Sequence, residues 1–121
     1  MILGRAIQDR EYTYEGALDA NGLGTGKAIS CFKNGQWYSG DFVQGIGQGY
    51  GIEYFPNGER YEGQYHRDKV HGKGTHFYPD GKKITGVWNM DKKNGDFTVE
   101  TYAGKVLSIE TWNNGALVAR K

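Results

Sequence analysis

The chain has little of what holds most small domains together. It carries a single cysteine, Cys31, so no internal disulfide can staple it, and a reducing compartment fits. Hydrophobic residues make up 37% of its 121 residues, below the roughly 45–50% of ordinary soluble domains, so a thick two-layer core would be hard to fill. No apolar run approaches the ~20 residues of a membrane-spanning helix, and the start Met1-Ile2-Leu3-Gly4 is too short for a signal peptide. No segment keeps a helical period of apolar residues. The net charge of +1 argues against a nucleic-acid binder. It covers a mild asymmetry, five Lys/Arg against seven Asp/Glu in residues 1–60 and ten against seven in 61–121.

What the chain has in quantity is glycine, 20 residues, and rings: nine Tyr, five Phe and three Trp. They are periodic. From Tyr38 the sequence reads YSGDFVQGIGQGYGIEYFPNGER, and from Tyr61 YEGQYHRDKVHGKGTHFYPDGKK, a repeat of 23 residues. In both copies glycine falls 2, 11, 13 and 20 positions after the opening tyrosine, at Gly40, Gly49, Gly51, Gly58 and again at Gly63, Gly72, Gly74, Gly81. The frame continues upstream from Tyr14, with Gly24, Gly26 and Gly35, and downstream from Ile84, with Gly86, Gly95 and Gly104 but Phe97 in a glycine place. Such a period means one supersecondary unit stacked on copies of itself. The expected organisation is a single repeat domain over 1–121, with copies near 14–37, 38–60, 61–83 and 84–106 and caps at 1–13 and 107–121. Opening at Met1 and closing in a decayed half-copy, the array is expected to be complete.

Within a copy the residues alternate as in a strand: Tyr61, Gly63 and Tyr65 share one face, Glu62, Gln64 and His66 the other. Pairing the two halves around Arg67-Asp68-Lys69-Val70 sets Tyr65 opposite Gly72, Gly63 opposite Gly74 and Tyr61 opposite His76, and likewise Phe42 opposite Gly49 and Gly40 opposite Gly51. A ring facing glycine across a strand pair can lie over bare backbone. In the fourth copy the same register sets Trp88 against Gly95, Gly86 against Phe97 and Ile84 against Val99. Between hairpins stand Phe55-Pro56-Asn57-Gly58 and Tyr78-Pro79-Asp80-Gly81, in which proline presets the first turn position and glycine supplies positive φ. The expected fold is all-β: an elongated single-layer antiparallel meander of stacked hairpins, with nine or ten strands and residues 116–121 left open between strand, short helix and frayed end.

These residues resemble the MORN repeat, whose pattern is Tyr-x-Gly-x-aromatic, a loop, then His-Gly-x-Gly. YEGQYHRDKVHGKG from Tyr61 carries it in full, and the copy from Tyr38 has Gln48 in the histidine place. The resemblance covers about residues 12–106. The C-terminal part, with Asn94-Gly95, Tyr102 and Trp112-Asn113-Asn114-Gly115, leans toward the related repeat of YwqK-type antitoxin-like proteins.

Several stretches imitate chemistry without completing it. Gly22-Leu23-Gly24-Thr25-Gly26-Lys27 lacks the first glycine of a phosphate-binding loop, that place being Asn21, and Ala28 stands where Ser or Thr is required. Gly45-Ile46-Gly47-Gln48-Gly49 has no strand–helix–strand context for a dinucleotide. His66, His71 and His76 fall in one copy without a cysteine or carboxylate pair to complete a metal set. Cys31 has no marked general base. No enzyme, cofactor or metal is expected.

Three functions follow as expectations. The first is a non-enzymatic protein-interaction module, in which Tyr38, Phe42, Tyr61, Tyr65 and Trp88, extended by Tyr14 and Leu18, line a groove for an unidentified protein partner. The resemblance implies scaffolds and adaptors that often dimerise, and here a homodimer contact at the C-terminal repeat around Trp88 and Phe97. The second is binding to anionic phospholipid through Arg67, Lys69, Lys73, Lys82 and Lys83. The third is the regulatory segment of an enzyme, since MORN arrays precede catalytic domains in some methyltransferases and lipid kinases. The expected location is cytoplasmic, or peripheral at a membrane.

Overall fold

A computed structural model of the chain describes residues 12–121; the segment 1–11, and with it most of the expected N-terminal cap, lies outside the described residues. Eleven strands follow one another: β1 (Tyr12–Leu18), β2 (Gly24–Phe32), β3 (Trp37–Val43), β4 (Ile46–Tyr54), β5 (Arg60–His66), β6 (Lys69–Phe77), β7 (Lys82–Asn89), β8 (Lys92–Lys93), β9 (Gly95–Thr101), β10 (Val106–Asn113) and β11 (Ala116–Arg120). They form one antiparallel sheet in meander order, with the two-residue β8 pairing β7 at its side. The fold is the stacked-hairpin meander that the repeat demands, with the tail a true strand.

Two kinds of turn alternate along the two rims. At one rim the Pro-Asx-Gly segments close as expected: Gly58 N–H donates to the Phe55 carbonyl at 3.1 Å, Phe55 N–H to the Glu59 carbonyl at 3.0 Å, and Gly58 has φ 91°. The Asn57 and Asp80 carboxamide and carboxylate oxygens accept the N–H two residues on. At the other rim the four-residue loop expected at Arg67–Val70 is a two-residue turn instead, with Arg67 and Asp68 both at positive φ, 51° and 67°. Met90-Asp91, Gln44-Gly45 and Asn114-Gly115 do the same. These are the primed turns whose twist matches a hairpin. Only Asn114-Gly115 announces itself in sequence; the others hold aspartate or glycine at the second place.

The tighter turn changes the register. Gly63 pairs Gly74 and Tyr61 pairs His76, as expected, but Tyr65 pairs Val70 rather than Gly72. In the preceding copy Gly40 pairs Gly51, while Phe42 pairs Gly47 rather than Gly49. Between these pairs three residues of the returning strand, 71–73 or 48–50, lie opposite one residue, so the hairpin carries a bulge. Gly72 and Gly49 sit in the bulges at φ 96° and 93° and meet the ring of the next copy instead: Gly72 pairs Trp88 and Gly49 pairs Tyr65. For Gly72 and Gly49 the aromatic–glycine pairing therefore lies between repeats rather than within one.

Candidate functional site

The five rings expected to line a partner groove are the core of the protein. Tyr38, Phe42, Tyr61, Tyr65 and Trp88 are at most 8% exposed and pack with Tyr14, Ile84 and Phe97 on one face of the sheet. They form a herringbone that runs the length of the array. Successive centroids from Tyr14 through Phe42, Tyr38, Tyr65, Tyr61 and Trp88 to Phe97 are 5.0–5.8 Å apart with near-perpendicular planes, the edge-to-face geometry that aromatic quadrupoles favour. Tyr38 and Tyr61 each fold over the glycine pair of their own hairpin, the hydroxyl near the glycine two places on and the ring over its partner on the returning strand. A Cβ built on Gly51 would lie 2.4 Å from Tyr38 Cε2 and one on Gly74 2.1 Å from Tyr61 Oη. The hydroxyl then donates three residues on: Tyr38 to the Asp41 carbonyl at 3.1 Å, Tyr61 to the Gln64 carbonyl at 3.0 Å, and Tyr14 to the Ala17 carbonyl at 2.6 Å. Burial pushes the Tyr38, Tyr61 and Tyr65 phenols well above their ordinary range. Neighbouring repeats therefore bury these rings, while Tyr61 and Trp88 still line a cleft beside them. Leu18, 48% exposed, lies outside the herringbone.

The C-terminal closure is a correction of the same kind. Trp88 pairs Lys93 of β8, not Gly95, whereas Ile84 pairs Val99 as expected. Phe97 has no exposed surface, and its ring covers Gly86. Two further strands follow it in the sheet, so Phe97 is an interior residue of one chain and offers no ring to a second copy.

Clefts remain beside the ring row, walled by carboxylates from successive repeats. Asp68 and Asp91 occupy the same place in consecutive turns, and each clamps its hairpin to the previous one. Asp68 N–H donates to the Gly47 carbonyl at 2.9 Å and its carboxylate accepts Gly47 N–H at 2.6 Å. Asp91 does the same with Val70, at 2.8 Å in both directions. Between them Glu53 accepts the Tyr65 hydroxyl at 2.5 Å and the Gln36 amide, and burial raises its pKa. Cleft volumes here are about 340 Å³. Among the described residues no group of His, Cys, Asp and Glu is arranged to hold a metal. His66 and His71 do approach, centroids 5.7 Å apart, but His66 Nδ1 bonds Gln48 and His71 Nδ1 accepts Met90 N–H.

The basic residues do not converge. Arg67 lies in a turn on one rim and Lys69 directly after it, while Lys82 begins β7 at the opposite rim, a full strand length away. Lys73 and Lys83 lie within strands, Lys73 opposite Val87 and Lys83 opposite Phe77. Successive turns alternate between rims, so a run of lysines in sequence is spread across the sheet. The glycine-rich stretch ending at Lys27 runs into β2 from Gly24 on, with Lys27 Nζ 3.0 Å from Asp41.

The opposite face of the sheet carries a second aromatic row that the sequence reading missed. Trp37, Tyr54, Arg60 and Phe77 pair in register across four strands. The Trp37 and Tyr54 rings stack with centroids 4.0 Å apart, the Arg60 guanidinium lies 4.0 Å from the Phe77 centroid, and Tyr102 continues the row at 5.7 Å from Phe77. Ile29, Tyr102, Val106 and Ile109 on or near this side are 39–57% exposed. The signal was present: Tyr54 and Phe77 are 23 residues apart, as are Trp37 and Arg60. It was hidden because these positions carry no glycine.

Among the described residues no helix is long and apolar enough to cross a membrane. A comparison with curated proteins finds no match. The MORN repeat family model matches residues 38–60 and 61–83, the two copies with the complete glycine pattern, so this part of the chain is built of MORN repeats, and further hairpins stand on either side of it.

Proposed function

We propose that the chain is a non-enzymatic adaptor that docks a protein partner on the open face of its sheet, along Trp37, Tyr54, Arg60, Phe77 and Tyr102. MORN repeats are generally modules for interaction or membrane binding, and the sheet here is a single layer. One face is spent on packing repeat against repeat, and the observation that carries the reading is that nothing in the described chain covers the other. Stacked rings and a guanidinium held over a ring are the side chains that dominate protein interfaces. Arg60 shares its charge with Glu62 at 3.3 Å, so the face favours a largely apolar partner surface with a carboxylate or carbonyl at its centre over a strongly charged one.

The test is affinity capture from the native host with three baits: wild type, Trp37→Ser/Phe77→Ser, and Lys69→Ala/Lys82→Ala. A stoichiometric protein retained by the first and third baits but lost by the second supports the reading. Loss with the lysine variant alone, together with pelleting on phosphatidylserine vesicles that fades with salt, would replace it by the phospholipid function.

A further inference from the structure

On the ring-bearing face, beyond the herringbone, an open cleft of about 300 Å³ lies between the β6–β7 turn and strands β7 to β11. Its apolar lining comes from Tyr78, Ile84, Val99 and Trp112. Its charged lining consists of Asp80, Lys82, Lys93, Glu110 and Arg120. Most of these charges are matched. Glu110 is only 8% exposed, and one of its oxygens accepts Arg120 Nε at 3.0 Å and Nη2 at 2.7 Å while the other accepts Trp112 Nε1 at 3.2 Å. Asp80 bonds the Lys82 N–H at 3.0 Å, and its other oxygen is 4.0 Å from Lys82 Nζ.

Lys93 is the exception. Its ammonium stands 4.2 Å from the Trp112 centroid and 5.9 Å from that of Trp88, and no carboxylate of the described residues lies within ion-pair distance. The acids nearest in the field are engaged elsewhere, Glu110 by Arg120 and Glu59 by His76 at 2.7 Å. Partial burial accordingly lowers its pKa. A half-buried ammonium held by rings alone is costly unless an anion completes its shell.

We propose that this cleft binds a small organic monocarboxylate, with the Lys93 ammonium as counter-ion and Trp112, Tyr78, Ile84 and Val99 enclosing the ligand's hydrocarbon body. The charge count selects the class. Pairing Arg120 with Glu110 and Lys82 with Asp80 leaves a single positive charge, which one carboxylate neutralises. A phosphate dianion would face the Glu110 and Asp80 carboxylates with only one unmatched cation. A neutral ligand would leave the ammonium as it was. The volume suits an acid with a short aliphatic or monocyclic body, and the four apolar walls give that body a place that inorganic ions cannot use.

The test uses the full chain with ¹³C-labelled lysine, in which the ring current of Trp112 sets the Lys93 methylene signals apart. Three probes are titrated: 3-phenylpropionate, its neutral amide, and inorganic phosphate. The carboxylate should move the Lys93 signals and quench tryptophan fluorescence saturably at millimolar concentration or below, the amide and phosphate far less. Lys93→Met should weaken carboxylate binding about tenfold or more, the worth of a charge-assisted contact. Lys93→Arg should retain most of it, and thermal melts check that both variants fold. The proposal fails if the carboxylate moves nothing, if the amide binds as well, if phosphate binds more tightly, or if folded Lys93→Met binds like wild type.

Discussion

Repeats three and four solve one packing problem from opposite strands. In repeat three the paired glycines Gly63 and Gly74 leave a gap that the opening tyrosine roofs: Tyr61 lies over Gly74 and anchors its hydroxyl on the Gln64 carbonyl. In repeat four the opening residue is Ile84, too short to reach, and Phe97 comes from the returning strand to cover Gly86, with Cδ2 2.7 Å from where a Cβ would stand. Both end fully or almost fully buried and both hold Trp88 edge-to-face, at 5.8 and 5.2 Å. What is preserved along the array is therefore a ring over the glycine row, not a tyrosine at a position. A repeat can lose two signature residues and remain a repeat, provided the loss is reciprocal.

The largest expected effect breaks that reciprocity. Phe97→Gly restores the family glycine on paper but removes the ring without supplying another, and a phenylalanine-sized void costs about 3–5 kcal/mol. Adding Ile84→Tyr should recover much of the loss, because the new ring can fold over Gly86 as Tyr61 does over Gly74. Urea denaturation of wild type, single and double variants measures both. A double variant no more stable than Phe97→Gly would mean that the two repeats differ in backbone and not only in which strand supplies the ring.

Next in size is Gly74→Val. Its Cβ would stand 2.1 Å from Tyr61 Oη, and the Gly63 side of the gap is closed by backbone, Gly74 Cα being 2.5 Å from a Cβ on Gly63. Overpacking of this kind costs about 1–3 kcal/mol. Tyr61→Phe should cost less, about 0.5–1.5 kcal/mol, since only the hydroxyl's bond to Gln64 is lost. Thermal melts that rank these two in the reverse order would mean that the hydroxyl anchor, rather than the ring's volume, organises the interior repeats.

The comparison also marks what could be read beforehand. The meander, the Pro-Asx-Gly turns, the Gly63–Gly74 and Gly40–Gly51 pairs and the filling of Gly86 by Phe97 all follow from glycine spacing and strand alternation, which are local. The hairpin bulge was not legible, because a type I′ turn made of Arg67 and Asp68 lacks the Asn-Gly signature and draws its support from Gly47, in the previous copy. The missed bulge displaced Gly72 and Gly49 to the neighbouring repeat. The groove was misread for a related reason: Tyr38 and Tyr65 are buried by residues of adjoining copies, with their rings 5.0 Å apart, and a single repeat considered by itself leaves them bare. Trp37, Tyr54 and Phe77 on the far face were passed over since no glycine marked them.

The smallest effect concerns a position that changes character along the array. Ser30, Glu53, His76 and Val99 are 23 residues apart and occupy equivalent places in β2, β4, β6 and β9. Glu53 is the acidic member, and burial raises its pKa in spite of the bonds from Tyr65 and Gln36 that oppose the shift. A raised carboxyl pKa means that the folded state holds its proton longer than the unfolded chain does. Glu53 therefore contributes most below the ordinary glutamate value, and that contribution is lost as pH rises through the raised folded value. Glu53→Gln keeps an acceptor for the Tyr65 hydroxyl without the charge, so it should flatten this part of the profile and leave the variant relatively more stable at neutral pH. Val99 has nothing to titrate, so Val99→Ala should lower stability equally at every pH. Stability curves for the two variants from acidic to neutral pH decide it. Parallel curves for wild type and Glu53→Gln would mean that the bonds from Tyr65 and Gln36 cancel desolvation, and that the acidic member of the series behaves like its apolar successor.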